Sequence, residues 1–394
     1  MQLPLIHFDC KYFEGDKPCS RNKQYGVFCE NCNFYVKDYE IRGFFPPIEK
    51  PPVQKLTEEH KKIIIIKLDA VGDVLRTTSV LPGLKKTYSD SSITWITKTR
   101  SFPVLKDNSF IDEIYFIEDD LTHIYNDSFD IAINLDSGKD SCAVMSNIHS
   151  DESYGYYLMN GKPYPVNELA NEWYLMGVDD NTKRKNLKTY HKIIHEICGL
   201  PYENSKPSLE ISSEKSKSAQ IIKEKFKIGG YSEFILVNLG GGNRWQYKKW
   251  VKEGYIKLVN ILAKDKKKAI GVIAGGEDVD FYNEIISVIN PNENVIKFGC
   301  DNSADDFISI IYLADKIFTS DSLAFHIATA LDKYCIVITG PTSFTELDVF
   351  GNGRIIHSDK VDCLCCYLNR CDKVITCMNT LTPEYISSFL VQNR

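Results

Sequence analysis

No stretch of the 394 residues approaches the ~18 uninterrupted apolar positions that a membrane-spanning helix requires. The opening, MQLPLIHFDCKYFEGD, lacks the basic flank and long apolar run of a secretory leader. These absences lead us to expect a cytoplasmic protein with at most peripheral membrane association. Blocks of positive charge are missing as well: the formal charge is −6, and Lys and Arg are scattered among acidic residues. A broad electrostatic footprint for nucleic acid is thereby excluded. Short-period repeats and low-complexity tracts are absent, which excludes a solenoid. No Gly-x-Ser-x-Gly elbow occurs, so no Ser-His-Asp hydrolase triad is expected.

What is present is an ordinary soluble composition, 43% hydrophobic and 25% charged. The length fits two domains of roughly 150 residues each plus appendages. Cysteine is plentiful: of thirteen, eight form two clusters, Cys10-x8-Cys19-x9-Cys29-x2-Cys32 and Cys363-x2-Cys366-x4-Cys371-x5-Cys377. A reducing compartment disfavours a disulfide framework. Each cluster offers four thiolates with one Cys-x2-Cys hook, the donor set of a tetrahedral ion, zinc first and iron second. An iron-sulfur cluster uses the same ligands, and reduced structural cysteines are the plain alternative. Cys365 leaves the C-terminal ligand choice open. A closed four-cysteine site has no open coordination position, so its expected role is in folding or acceptor docking.

Residues 1–45 read as a cysteine-rich metal-binding module, and 46–60, with Pro46, Pro47, Pro51 and Pro52, as a stiff linker. Over 61–210, β-branched runs at Ile63–Lys67, Ile93–Thr97, Ile111–Ile117 and Phe129–Leu135 predict buried strands, with a helix over Val74–Tyr88. From Gly155 to Leu200 the pattern loosens, ending in a helix over Leu187–Cys198. Over 211–360, a helix over Ser213–Lys227 precedes strands at Phe234–Leu239, Ala269–Ala274, Val295–Phe298, Lys316–Thr319 and Tyr334–Thr339. A cysteine-rich segment and C-terminal helix close the chain over 361–394. Alternating strands and helices predict an α/β fold of two Rossmann-like, doubly wound domains.

Four segments carry candidate chemistry. In Lys67-Leu68-Asp69-Ala70-Val71-Gly72-Asp73, Gly72 permits a tight turn after a strand, and Asp73 lands at a helix start, as either a capping carboxylate or a catalytic one. Gly240, Gly241 and Gly242 follow a strand and expose successive amides, an anion nest or a flexible loop, with Lys248 and Lys249 beyond. Glu277, after Gly275 and Gly276, is placed to hold ribose hydroxyls or to begin a helix. Asp321 and Ser322 end a further strand, and His326 lies one turn beyond Ser322, either facing a diphosphate or packed.

In order and content these segments resemble glycosyltransferase family 9, the ADP-heptose heptosyltransferases, over residues 61–380. IIIIKLDAVGDVLRTTSVLPGLKKTY is similar to that family's opening strand and Gly-Asp turn. GGGNRWQYKKW resembles its phosphate loop, and TSDSLAFHIATAL followed by ITGPTS its donor signature. The resemblance implies a GT-B fold with two domains facing a cleft. It also implies inverting transfer of a sugar, heptose first, from a nucleotide-diphosphate donor such as ADP-heptose. The acceptor would be a hydroxyl on a glycan, lipid-linked saccharide or protein, and the reaction would need no divalent ion. Asp73 is then the general base and Lys248 the counter-charge for the leaving phosphate. Gly72, Gly240, Gly241, Gly242, Glu277, Asp321, Ser322 and His326 bind the donor. Two departures stand out: Leu323 where the family carries glycine, and Asp69-Ala70-Val71 before Gly72, which sets a second carboxylate beside Asp73. Some members look similar in carrying cysteine-bound iron near the C-terminus. The competing expectations are a sugar-nucleotide epimerase, or a non-catalytic binding protein built on its metal modules.

Overall fold

The computed structural model describes residues 5–38, 60–242, 246–368 and 371–392. The expected linker, apart from His60, lies outside the described residues. The chain divides into two units, Met1–Ser205 and Lys206–Arg394. Among the described residues no helix is long and apolar enough to cross a membrane.

In the first unit Lys61–Ile66 forms β1, and its four isoleucines are fully buried. A strand covered on both faces needs such a β-branched run, and it belongs at the centre of a parallel sheet. The other strands are β2 (Ser91–Thr97), β3 (Glu113–Phe116), β4 (Ser128–Asn134), β5 (His149–Met159) and β6 (Lys162–Pro165), in the order β3-β2-β1-β4-β5-β6. All pairs are parallel except β5 with β6. The helix expected over Val74–Tyr88 is two helices, Val71–Thr77 and Leu81–Thr87, joined by a tight turn. Pro82, which has no N–H to donate, sits in the first turn of the second helix.

The loosely patterned region holds more regular structure than its sequence suggests. β5 continues the parallel sheet beside β4 and then folds back on β6 through Asn160 and Gly161, both at positive φ. Asn-Gly is the preferred pair for such a hairpin turn. A helix, Glu168–Val178, follows, its start capped by the Asn167 side chain accepting from the Leu169 amide.

The second unit contains β7 (Glu233–Asn238), β8 (Lys268–Ile273), β9 (Val295–Gly299), β10 (Lys316–Ser320), β11 (Tyr334–Ile338) and β12 (Gly353–Ile356), in the order β12-β11-β10-β7-β8-β9 and all parallel. The edge strand β12 is additional to the strands expected. One face of the sheet packs an aromatic group in which Trp250 meets Tyr255 and Phe318 edge-on, with centroids 5.5 and 5.4 Å away. In each sheet the first strand of the unit (β1 or β7) lies beside a later one (β4 or β10) at the point where the order reverses. Loops at the carboxyl ends of these strands are where such sheets bind ligands.

Candidate functional site

In the first unit the chain leaves β1 through Lys67–Ala70 and enters the helix Val71–Thr77, with Gly72 and Asp73 in its first turn. The Asp73 carboxylate accepts from the Ala70 amide at 3.4 Å and pairs with the Arg76 guanidinium at 2.8 Å, with about a third of its side chain exposed (36%). Arg76 lies over the Tyr190 ring, 3.5 Å from its centroid, and the Tyr190 hydroxyl bonds to that of Thr77 at 2.7 Å. Beneath the turn, Lys67 is buried and donates to the Leu135 carbonyl at 2.9 Å. Burial alone would push the Lys67 ammonium down, but the charges of Asp136 and Asp73 and the Tyr190 hydroxyl hold it above its ordinary range. Asp73 therefore sits among cations. Asp136, at the end of β4, accepts from the Leu68 and Asp69 amides and so ties the loops at the switch point together.

The sequence leads one to expect Asp69 to crowd Asp73. Its carboxylate is taken by Lys98 and Arg100, while Asp73 pairs with Arg76, so each acid has its own cation. Lys67, Arg76, Asp136 and Tyr190 were not singled out from sequence. Only Arg76 had a readable signal, its i,i+3 spacing from Asp73.

In the second unit four loops meet at the carboxyl ends of β7, β8, β10 and β11. Lys248, after β7, pairs with Asp321, after β10, at 2.7 Å across the switch point, and both side chains are largely covered. Asp321 also accepts from the Thr342 hydroxyl at 2.9 Å. Asn238, at the end of β7, donates to the Gly240 carbonyl and to the hydroxyls of Thr319 and Ser322. Gly240 and Ser322 thus belong to one bonded set, and Lys248 and Asp321 to a second.

The glycine amides have partners inside the protein. Gly241 and Gly242 donate to the buried Asp278 carboxylate at 3.2 and 3.4 Å, Gly240 donates to the Asn238 side chain, and Lys249 pairs with Asp278. Asp278 closes the short turn Gly276–Asp278 after β8, and its neighbour Glu277 is exposed beside Gly242. His326 is buried in the helix Leu323–Ala330, its ring against Phe325. Asp278 and its pairing with Lys249 were not foreseen, because only the fold shows which carboxylate reaches the glycine loop.

The cysteines gather at two places. Cys10, Cys19, Cys29 and Cys32 line one small cavity, and none of them is in a disulfide. Burial pushes the Cys29 thiol up, and Cys19, Cys32 and Cys10 are near enough to add to it. In the C-terminal segment, burial and then Cys366, Cys363 and Cys371 push the Cys377 thiol up to about 11. Cys365 is engaged elsewhere, its thiol donating to the Thr342 carbonyl at 3.6 Å. Among the described residues no three His, Cys, Asp or Glu side chains are arranged to hold a metal ion.

Two doubly wound α/β units, each presenting polar loops at the switch point of its own sheet, are the building blocks of the GT-B glycosyltransferase fold. The sequence profile of glycosyltransferase family 9 (heptosyltransferase) matches residues 122–373, more than half of the chain, and the chain belongs to that family. Lipopolysaccharide heptosyltransferase 1 of Campylobacter coli is 22% identical over 338 residues, spanning 82% of this chain and 96% of the relative. Among solved structures, the ADP-heptose LPS heptosyltransferase II of E. coli has a TM-score of 0.58 at 18% identity, over 84% of this chain and 97% of that one. The iron-containing dodecameric glycosyltransferase TibC of enterotoxigenic E. coli H10407 has a TM-score of 0.51 at 11% identity, over 87% and 76%.

Proposed function

We propose that this glycosyltransferase moves heptose from ADP-heptose, with inversion, to a hydroxyl of a glycan, a lipid-linked saccharide or a protein. The observation that carries the reading is the Asp73 carboxylate at the carboxyl end of β1, partly exposed and held by Arg76 and the Ala70 amide. The carboxylate accepts the acceptor's proton as its oxygen attacks the anomeric carbon, and the diphosphate leaves from the opposite face. On the donor side, Lys248 supplies counter-charge for the leaving phosphate. Gly72 and the Gly240–Gly242 loop give close backbone approach. Asp321 and Thr342 set the lysine, Ser322 offers its hydroxyl, Glu277 is assigned to the ribose, and His326, in the helix that follows Ser322, is assigned to the donor with them. The names of the relatives support the donor, and the reaction as proposed needs no divalent ion.

The C-terminal thiols Cys363, Cys366, Cys371 and Cys377 are proposed to hold a structural ion, either iron, the metal that TibC contains, or zinc. The donor set fits either ion. The same segment braces the loop after β11: the Cys365 amide donates to the Gly340 carbonyl, the Tyr367 amide to that of Pro341, and the Tyr367 hydroxyl accepts from the Ser343 amide. An ion there would steady the loop that carries Thr342.

The test is turnover of ADP-heptose with a glycan pool, together with ADP binding and the anomeric configuration of the product. Asp73→Asn should lower transfer by ~10²–10⁴-fold while ADP binding is kept. Transfer by that variant within tenfold of wild type would refute Asp73 as the base, and a retained anomer would refute inversion.

A further inference from the structure

We propose that Cys10, Cys19, Cys29 and Cys32 bind one zinc ion that holds the N-terminal module together on the face of the first unit, independently of the transfer reaction. Among residues 5–38 only Cys10, Phe13, Gly15 and Pro18 are buried. So small an apolar core does not hold a fold of this length, and natural modules of the size rely on a metal or disulfides. The four thiols line one cavity, walled by Tyr12 and Phe28, and form no disulfide.

The backbone brings them there from three separate pieces. Cys10 sits in a turn that bridges antiparallel to Lys37. Cys19 immediately precedes the helix Ser20–Tyr25, and Cys29 and Cys32 bracket one tight turn, with the Cys32 amide donating to the Cys29 carbonyl. A Cys-x2-Cys turn plus two distant cysteines is the usual supply of a closed tetrahedral zinc site, with Zn–S bonds of about 2.3 Å. As they stand the four thiols are not arranged around an ion, so binding must draw the sulfurs together.

The module is also seated on a defined surface. Phe8 meets the rings of Tyr164 and Tyr174, at 5.8 and 6.4 Å between centroids, and Gly15 abuts Pro163. Lys23 pairs with Asp180 at 2.5 Å, and Lys162 donates to the Cys10 carbonyl. These contacts engage β6 and the two helices Glu168–Val178 and Asp180–Arg184. They need a module of fixed shape, and the ion supplies it.

The experiment compares the full chain, purified under reducing conditions from zinc-supplemented cells, with Cys29→Ser/Cys32→Ser and Cys363→Ser/Cys366→Ser variants. Bound zinc and iron are counted by mass spectrometry, and cobalt-exchanged protein is examined for thiolate charge-transfer and d–d bands. The N-terminal double variant should lose one metal equivalent per chain whatever the C-terminal set retains. Should it prove insoluble, Cys32→His keeps four ligands and should hold the ion with d–d bands shifted to shorter wavelength. Unchanged metal content in the double variant, unshifted bands in Cys32→His, or disulfides among these four cysteines in the wild type would overturn the proposal.

Discussion

Replacing Asp278 by alanine removes the one group that Lys249 and the glycine loop share. Asp278 is 3% exposed and Lys249 is nearly as well covered, so the substitution leaves an ammonium without its counter-ion in a poorly solvated place. Breaking a buried pair in this way costs about 3–5 kcal/mol. The two amide bonds are long, at 3.2 and 3.4 Å, and the half-buried Gly241 and Gly242 can recover water, so the ion pair dominates. The folded-to-unfolded ratio of the second unit should fall by about 10²–10⁴-fold, and the cost is a large part of a typical domain stability of about 5–15 kcal/mol. Asp278→Asn keeps an acceptor for the amides but not the charge, and should cost about half as much. Combining Asp278→Ala with Lys249→Met removes both charges, and should cost at least about 1 kcal/mol less than the sum of the single variants. The assay is urea unfolding of the full chain by tryptophan fluorescence, with a transition allowed for each unit. A cost below about 1 kcal/mol for Asp278→Ala, or strict additivity in the cycle, would refute the argument.

Three further outcomes follow from the same geometry. Lys248→Ala leaves Asp321 uncompensated beside the proposed diphosphate and removes a charge-assisted contact, so ADP binding by calorimetry should weaken by about 10–100-fold, with unchanged affinity counting against the donor site. At Gly155 (φ +91°) a Cβ would lie 1.8 Å from the Asn134 carbonyl oxygen, so Gly155→Ala should destabilise the first unit by about 3 kcal/mol or more, read from its unfolding midpoint. His195 is fully buried, and burial lowers its imidazole below the ordinary range. Between that lowered value and the unfolded one of about 6.5, the unfolded chain binds more protons, so stability is complete above about pH 6.5 and falls as the pH drops through the window. Melting temperatures measured from pH 7.5 down to 5 should show this slope in wild type and a flatter one in His195→Leu; parallel slopes would assign the acid loss to other groups.

The sheets were legible where both faces of a strand are covered, because burial forces a continuous β-branched run. Ile63–Ile66 announces β1 in that way. β5 was illegible for the opposite reason: His149–Met159 pairs with β4 along one stretch and with β6 along another, and its polar and aromatic residues match neither a buried run nor a clean alternation. The signal that was present, Asn160-Gly161, marks the turn rather than the strand. At the candidate site, Asp73 and Lys248 were readable as candidates from the segments that resemble the family, the Gly-Asp turn and the lysines before Trp250. The groups that hold them were not. Arg76 needs Tyr190, more than a hundred positions away, to settle over, and Asp321 reaches Lys248 only because β10 lies beside β7. Sequence spacing carries what one turn of backbone fixes, whereas ion pairs between loops depend on strand order.

That strand order gives the two units the same plan with opposite charge. In the first, the loop after the leading strand presents a carboxylate, Asp73, with the cations Lys67 and Arg76 around it. In the second, the corresponding loop presents a cation, Lys248, backed by the carboxylate Asp321. An ion pair with a flanking group of opposite sign holds each presented group, and the network fixes its direction. Transfer from a diphosphate donor makes two demands of opposite sign, a proton acceptor for the attacking hydroxyl and a counter-charge for the departing phosphate. A binding protein would need only the second. Asp73 also has a structural task, since it pairs with Arg76 and offsets the buried charge of Lys67, so the proton-acceptor role proposed for it is separated from that task by Asp73→Asn, which should lower transfer while the fold and ADP binding persist.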